Sequence, residues 1–265
     1  MNFAEQNKEA WSKLSKEHYE TFKKRLSAHN HQLNPHIQRE LGDLQGKSII
    51  HLQCNTGADT ILLAKMAKSA VGVDFSADNV FYANQLAKDF EMNNISFIES
   101  DIMDFMDKHN KKYDIVFVSE GAIGWLPDLD KWGKTIKHLL KDDGFFYIFD
   151  AHPFSLMFDE KKMGQGFLEI KYPYFSQTPS LYTKIGGWAA EKQTADNYFW
   201  IYKVSDIINA LVKNGLNIEY FNEFTELFFD KGAIMEELGN GLYNYRWNDN
   251  KFPNTFSLKA TKGAY

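Results

Sequence analysis

Asp74, Asp101, Glu120 and His152 share one property: each closely follows a short apolar run and opens a polar or turn-forming stretch. If those runs are strands of one sheet, the four side chains lie in a row at the strand ends, where open α/β sheets bind their ligands. A carboxylate there accepts hydrogen bonds from ribose hydroxyls. A histidine, titrating near neutrality, orients a substrate or takes its proton. The first of these acids closes residues 49–74, which read as a strand (Ile49, Ile50, Leu52), a turn (Gln53, Asn55, Gly57), a helix (Ile61, Leu62, Leu63, Ala64) and a second strand (Val71, Val73). Strand, Gly turn, helix, strand and acid make the plan of a nucleotide-binding βαβ unit, in which backbone N–H groups and a helix N-terminus approach the ligand. A dinucleotide needs Gly-x-Gly-x-x-Gly so that its pyrophosphate meets bare backbone. This turn offers Gly57 alone, which disfavours a nicotinamide-dependent oxidoreductase.

The elements that must position these residues alternate along the chain. Residues 2–28 carry Phe3, Trp11, Leu14, Tyr19, Phe22 and Leu26 on a loose helical spacing, and a short helix opens at Pro35 and stops at Gly42. After Asp74, Ser76 is placed to cap a helix with Val80, Ala83, Leu86 and Ala87 on one face. Residues 95–98 and 113–118 read as the third and fourth strands. Asp128 caps the next helix, and Asp143-Gly144 turns the chain into a fifth strand over 145–149. Residues 152–202 break the rhythm with Pro153, Pro173, Pro179 and glycine pairs among many aromatics. They read as an inserted β-hairpin or lid, with Tyr172, Tyr174, Trp188 and Trp200 over or beside the pocket. Ser205 is placed to cap a last helix, ended by Asn214-Gly215, before strands over 216–224 and 255–260. The expected fold is α/β, a Rossmann-like three-layer sandwich with a mostly parallel seven-stranded sheet. It forms a single domain: an N-terminal helical cap (1–45), a cofactor-binding core (46–151), the inserted lid (152–202) and the C-terminal part of the sheet (203–265).

Five stretches in order, HLQCNTGADT, VGVDFS, FIESDIMDF, YDIVFVSEGAIGWLPDLDKW and GFFYIFDAHP, carry a family resemblance over roughly residues 47–153. Together they resemble the class I S-adenosylmethionine-dependent methyltransferases. The resemblance implies S-adenosylmethionine as cofactor, with Gln53, Asn55 and Gly57 in its turn and Asp74 on its ribose. It places Phe75 against the adenosine, Asp101 on the adenine amino group and Ile102 as a backbone contact and apolar wall. Ser119 lies beside the cofactor, and Glu120 close to the transferred methyl. The family's first motif usually carries an acid and then glycines at alternate positions, where this chain has His51, Gln53 and Asn55. Methyl transfer is a displacement at an already activated sulfonium carbon, so the protein mainly holds nucleophile and methyl in line. A base helps only when the nucleophile carries a proton, and Glu120 or His152 is placed to serve. Each residue has a plainer role open to it. Asp74 would serve as a turn acid, Asp101 as a helix cap and His152 as a group that orients substrate or caps backbone.

Composition narrows the partners. Thirty basic against 35 acidic residues give a net charge of −5 without a long basic run, which argues against nucleic acid and for a small-molecule acceptor. Aromatics at 15% suit an enclosed pocket for an apolar or planar ligand. Cys54 stands alone, which rules out an internal disulfide and fits a reducing, cytoplasmic setting. No run is long and apolar enough for a membrane span. His29, His31, His36 and His51 do not complete a metal-ligand spacing, and no Gly-x-Ser-x-Gly elbow points to a hydrolase. The reading that follows is a methyltransferase acting on a small molecule. A nicotinamide-dependent oxidoreductase and a non-catalytic binder of S-adenosylmethionine or a nucleoside stand as its alternatives.

Overall fold

In the computed structural model, which describes residues 3–28, 32–186, 189–230, 234–239 and 241–263, the chain opens with α1 (Phe3–Ser12), α2 (Ser15–Ser27) and α3 (Pro35–Leu41). The core follows as β1 (Ser48–Leu52), α4 (Ala58–Met66), β2 (Ser69–Asp74), α5 (Ala77–Asp89), β3 (Ile95–Glu99), α6 (Phe105–Lys108) and β4 (Tyr113–Ser119). A 3₁₀ turn at Ile123–Trp125, α7 (Leu129–Leu139) and β5 (Leu140–Ala151) complete it. The insertion holds α8 (Pro153–Leu156), α9 (Glu160–Gly164), β6 (Ser180–Ile185) and β7 (Gln193–Phe199), and the chain closes with α10 (Val204–Lys213), β8 (Leu216–Phe224), β9 (Glu236–Gly239), β10 (Leu242–Asn244) and β11 (Thr255–Lys262).

Seven strands form one sheet in the order β3-β2-β1-β4-β5-β11-β8. β1 to β5 pair in parallel, and β11 runs antiparallel to both β5 and β8. This is the expected three-layer α/β architecture. β4 is buried along almost its whole length, as a strand covered on both faces must be. One face packs Val116, Val118, Phe146 and Ile148 against Trp132 and Ile136 of α7 and Leu211 of α10. The other packs Ile49, Ile115, Phe117 and Tyr147 against Ile37 and Leu41 of α3 and Leu63 of α4. Strand order reverses between β1 and β4. The turns leaving those two strands therefore open side by side, the crevice in which such sheets bind ligands.

Local chemistry explains the boundaries. Asn34 accepts from His36 N to start α3, Ser76 accepts from Asn79 N to start α5, and Asp128 accepts from Asp130 N and Lys131 N to start α7. Three expectations need correction. The single N-terminal helix is broken at residues 13–14 into α1 and α2. Asp143-Gly144 is a bulge inside β5, because Tyr113 pairs with Leu140 while Ile115 pairs with Phe145, and the intervening residues are extruded. α10 starts from Lys203, whose N–H reaches Asp206 Oδ2 at 3.3 Å, so Ser205 lies inside the helix. The β9–β10 hairpin was not anticipated. Trp188 lies outside the described residues, as do His29 and His31. Among the described residues, no helix is long and apolar enough to cross a membrane.

α7 and α10 approach closely at Gly133, where an added Cβ would stand 2.5 Å from the Ala210 carbonyl oxygen and 2.9 Å from Asn214 Nδ2. Gly133→Ala gains about 1 kcal/mol in helix propensity. It loses roughly 1–3 kcal/mol in forcing the helices apart, because the atom it meets is backbone. We expect net destabilisation, read as a lower urea midpoint at unchanged slope.

Candidate functional site

The turn after β1 has the backbone of a glycine-rich loop without its glycines. Gln53 (φ 56°), Asn55 (φ 51°) and Gly57 (φ 79°) all occupy the left-handed region, at alternate positions. Asn tolerates that conformation with a local hydrogen bond, whereas Gln there costs on the order of 1–3 kcal/mol. The hydrogen bonds that offset the strain are visible. Asn55 N donates to Asp74 Oδ2 (2.9 Å), Thr56 N to Asn55 Oδ1 (2.6 Å), and Gln53 Nε2 to the Ala122 carbonyl (2.7 Å) across the crevice. Gly57 admits no side chain, because a Cβ would stand 2.6 Å from the Phe97 ring. Cys54 is buried, and burial pushes its thiol up; it packs here and does not act as a nucleophile.

Asp74 ends β2 with 5% exposure. Besides Asn55 N, it accepts from Ser76 N and Asn79 Nδ2, both at 3.0 Å. Burial pushes its pKa up, and these donors pull it back. A carboxylate has about four lone-pair sites, so roughly one remains for a ligand hydroxyl. Next to it, Phe75, Ser100 and Asp101 line a pocket of about 270 Å³ whose opposite wall is Ala4, Glu5 and Lys8 of α1. Asp101 Oδ1 accepts from Met103 N at 2.9 Å. Ile102 is buried in the core, and its carbonyl is taken by Thr135. A larger hollow of about 420 Å³, lined by Glu236, Tyr245 and Trp247, lies by the β9–β10 hairpin and includes none of the predicted site residues.

At the end of β4, Ser119 donates to Asp59 Oδ2 (3.0 Å) and faces His51 Nε2 (3.3 Å), while His51 Nδ1 meets Thr60 Oγ1 (2.9 Å). The directions can be assigned from this network. Ser119 gives its proton to Asp59, so His51 Nε2–H donates to Ser119. Burial lowers the His51 pKa to about 4, with Asp59 pulling the other way, so the ring is neutral near pH 7 and Nδ1 accepts from Thr60. Glu120 stands beside this chain with φ 51°, its N–H held by the Phe149 carbonyl at 2.7 Å. Burial, then Asp59 and more weakly Asp150, push its carboxyl well above the usual carboxylate range, and the Asn34 amide opposes them.

Asp150 was missed by the sequence reading. It is 2% exposed and accepts from Gly121 N, Ala122 N, Ile123 N and Ala151 N at 2.6–3.0 Å, which shapes the turn carrying Glu120. Its signal was an acid at the end of an apolar strand, the same signal that singled out Asp74. His152 goes elsewhere. Its Nδ1 accepts from Phe154 N (3.1 Å), its Nε2 lies 3.0 Å from Glu223 Oε1, and its ring meets Phe221 and Phe256 edge-on. Ser119 and Glu120 are thus brought together with Asp59 and His51, and His152 shares none of those neighbours.

The insertion roofs this mouth together with α1. Asn7 exchanges two hydrogen bonds with the Tyr198 backbone (2.7 and 2.8 Å), and Trp200 N donates to the Gly124 carbonyl at 2.7 Å. Trp125 stands edge-on to both Trp11 and Phe199 at 5.1 and 5.0 Å. Trp200 is therefore beside the crevice. Tyr174 accepts from Val204 N at the start of α10, and Tyr172 pairs with Tyr182 of the hairpin.

A family profile described as "Methyltransferase domain" matches residues 43–199, more than half of the 265. The chain belongs to the class I S-adenosylmethionine-dependent methyltransferase family. It is similar to an S-adenosylmethionine-dependent methyltransferase from Listeria monocytogenes, at 20% identity and TM-score 0.58, over 86% of this chain and 96% of that one. A second such structure, from Methanosarcina mazei, matches at 14% identity and TM-score 0.59, over 89% and 100%. Among curated relatives, an "uncharacterized RNA methyltransferase" of Clostridium tetani is 24% identical over 55% of this chain and 32% of its own length. One of the same description from Caldanaerobacter subterraneus is 31% identical over 34% and 20%. This chain thus spans about a third or less of the length of those relatives. The cofactor of the family is S-adenosylmethionine, and the residues present suit it. Gln53 Oε1 and Thr56 Oγ1, both buried in the first turn, have no hydrogen-bond partner among the described residues and fit the polar methionine end.

The depressed His51 pKa makes a stability prediction. Between about pH 6.5 and 4 the unfolded chain binds a proton at this position that the folded chain refuses, so stability falls as pH falls. From pH 7 to pH 5 the loss is about 2 kcal/mol. Urea titrations at the two pH values should show His51→Gln with a pH dependence smaller by that amount. An unaltered dependence would show that His51 protonates freely in the fold.

Proposed function

We propose that the protein is a methyltransferase that passes the methyl group of S-adenosylmethionine to a small-molecule acceptor inside the roofed crevice. The roof carries this reading: α1 and the β6–β7 hairpin close over the ends of β1 and β4, an enclosure suited to a small acceptor rather than to a polymer laid across the sheet. Gln53, Asn55 and Gly57 would hold the methionine end and Asp74 the ribose. Phe75, Asp101 and Ile102 would wall the adenine, with Ser119 beside the sulfur.

When bound, the cofactor supplies a methyl group on a positively charged sulfur, which leaves as a neutral thioether. Glu120 orients the acceptor in line with that carbon. Where the acceptor carries a proton at neutral pH, the Glu120 carboxylate takes it as the new bond forms. Its raised pKa suits it to that work better than an ordinary carboxylate. Asp59 and Asp150 also make this region electronegative, which favours the cationic cofactor over its neutral product. His152 enters as a residue that orders the start of the insertion, since its Nδ1 is already committed to α8. Acidic overall charge supports a small acceptor. The names of the curated relatives favour RNA as a second reading, although those proteins are at least about three times longer than their matched segment.

Calorimetry should show that wild-type protein binds S-adenosylmethionine and that Asp74→Asn weakens it by about 1.5–3 kcal/mol. Release of S-adenosylhomocysteine is then measured against a metabolite panel and, separately, against total RNA. We expect turnover with the panel, falling ~10²-fold in Glu120→Gln at retained cofactor affinity. Methyl incorporation into RNA alone would replace the small-molecule reading with the second.

A further inference from the structure

The three groups that hydrogen-bond Asp74 are themselves held, one each, by the N-terminal helices. His18 Nδ1 lies 3.2 Å from Asn55 Oδ1, Ser12 Oγ lies 2.8 Å from Ser76 Oγ, and Ser15 Oγ donates to Asn79 Oδ1 at 2.6 Å. Asn55, Ser76 and Asn79 are the donors to the Asp74 carboxylate. We propose that Ser12, Ser15 and His18 are cofactor-positioning residues, through which the N-terminal helices set the geometry of Asp74 for the ribose of S-adenosylmethionine. This rests on the reading of Asp74 as the ribose ligand.

The directions of the bonds support it. The Ser15 hydroxyl accepted by Asn79 Oδ1 fixes which end of that amide faces Asp74, since a flipped Asn79 would set oxygen against carboxylate. Asn55 Oδ1 already accepts from Thr56 N, so His18 Nδ1 must donate to it. That donation steadies a residue in the left-handed region whose own N–H points at Asp74. Ser15 and Asn79 are almost wholly buried, so water does not stand in when either partner is lost. The break between α1 and α2 has a purpose in this arrangement. It sets Ser12, the last residue of α1, against Ser76, the cap of α5, and Ser15, the first of α2, against Asn79 in the first turn of α5. The same α1 supplies Ala4, Glu5 and Lys8 to the pocket beside Phe75 and Asp101.

α2 provides its own control. Tyr19 donates to Asp89 Oδ2 at 2.6 Å and Lys23 lies 2.9 Å from the same carboxylate, at the surface of α5, with no link to Asp74. If the helices only needed docking, these contacts would matter as much as the buried three.

The test is calorimetric binding of S-adenosylmethionine, with thermal unfolding of each variant and hydrogen exchange with and without S-adenosylhomocysteine. We expect Ser15→Ala and His18→Leu each to weaken binding ~5–20-fold, the range for losing one buried hydrogen bond. His18→Asn, whose amide nitrogen stands near the place of Nδ1, should restore most of the loss. Tyr19→Phe should stay within about twofold of wild type even where its unfolding temperature drops. Ligand should slow exchange at residues 12–18, because coupling between sites is reciprocal. Wild-type affinity in Ser15→Ala and His18→Leu overturns the inference. So does an equal loss in Tyr19→Phe, a His18→Asn no better than His18→Leu, or exchange at 12–18 that ignores ligand. If wild type does not bind S-adenosylmethionine, or Asp74→Asn binds it unchanged, the underlying reading fails and takes the inference with it. Cap variants without effect beside a weakened Asp74→Asn overturn the inference alone.

Discussion

A carboxylate taken out of water must find hydrogen-bond donors or give up its charge, and Asp74 finds its donors in the turns around it. That requirement shapes the surrounding chain. Asn55 can present its N–H only from the left-handed region, so the turn after β1 adopts the course of a glycine-rich loop with Gln53 and Asn55 in place of glycines. Ser76 must stop being strand and begin capping α5 for its own N–H to face the acid. Asn79 must turn its amide inward, which draws α2 onto the strand ends. Asp150 repeats the solution across the crevice with backbone donors alone, and so fixes the turn that carries Glu120. Gln53 ties the two turns together through the Ala122 carbonyl. The mouth of the sheet is in this sense built from two satisfied anions and the strand reversal that sets them side by side.

The two acids differ from Glu120 in a way that bears on chemistry. Asp74 and Asp150 are surrounded by N–H groups, which stabilise their charged forms against the cost of burial. Glu120 has Asp59 nearby and little to offset it, so its charged form is the expensive one. Such a group is poised to accept a proton, or to be stabilised by a cation brought alongside. A sulfonium is a cation that loses its charge as it reacts.

Much of this was legible in the residues. Apolar runs ending in acids located β2, β3 and β4, and Ser76 and Asp128 marked helix starts through side chains that do cap. The parts that were not legible fail for identifiable reasons. Gln53 in the left-handed region could not be read, because Gln has no preference for it and its side chain is held by the Ala122 carbonyl, distant in sequence. His152 follows its strand as Glu120 does, but side chains alternate across a sheet, and a shift of one position sends a residue to the opposite face. It therefore meets Phe221 and Phe256, while Ser119 meets His51. His51 looked like a departure from an acidic motif. In the fold it forms one link between Thr60 and the Ser119–Asp59 pair, so an acid remains in the neighbourhood though it has moved onto α4. The β9–β10 hairpin was overlooked although Gly239-Asn240-Gly241 is a turn signal, because the flanking runs are too short and too charged to read as strands.

The core of the sheet and the roof over the crevice are packed in different ways. Beneath the helices, the sheet is closed by a large cluster of Ile, Val, Leu, Phe and Trp that includes Trp132, Phe146 and Phe256. The contact between the N-terminal helices and the hairpin is of another kind. Its buried members are Ala10, Leu14, Ile185, Ala190 and Ala195, three of them alanines. These small groups are joined by ring contacts of Phe3, Trp11 and Trp125, the Asn7 pair, and hydrogen bonds from Glu191 N to Glu17, from Lys13 to the Thr194 carbonyl and from Gln193 to the Lys13 carbonyl. Polar contacts from Ser12 of α1 to Ser76, and from Ser15 and His18 of α2 to Asn79 and Asn55, join these helices to the surroundings of Asp74.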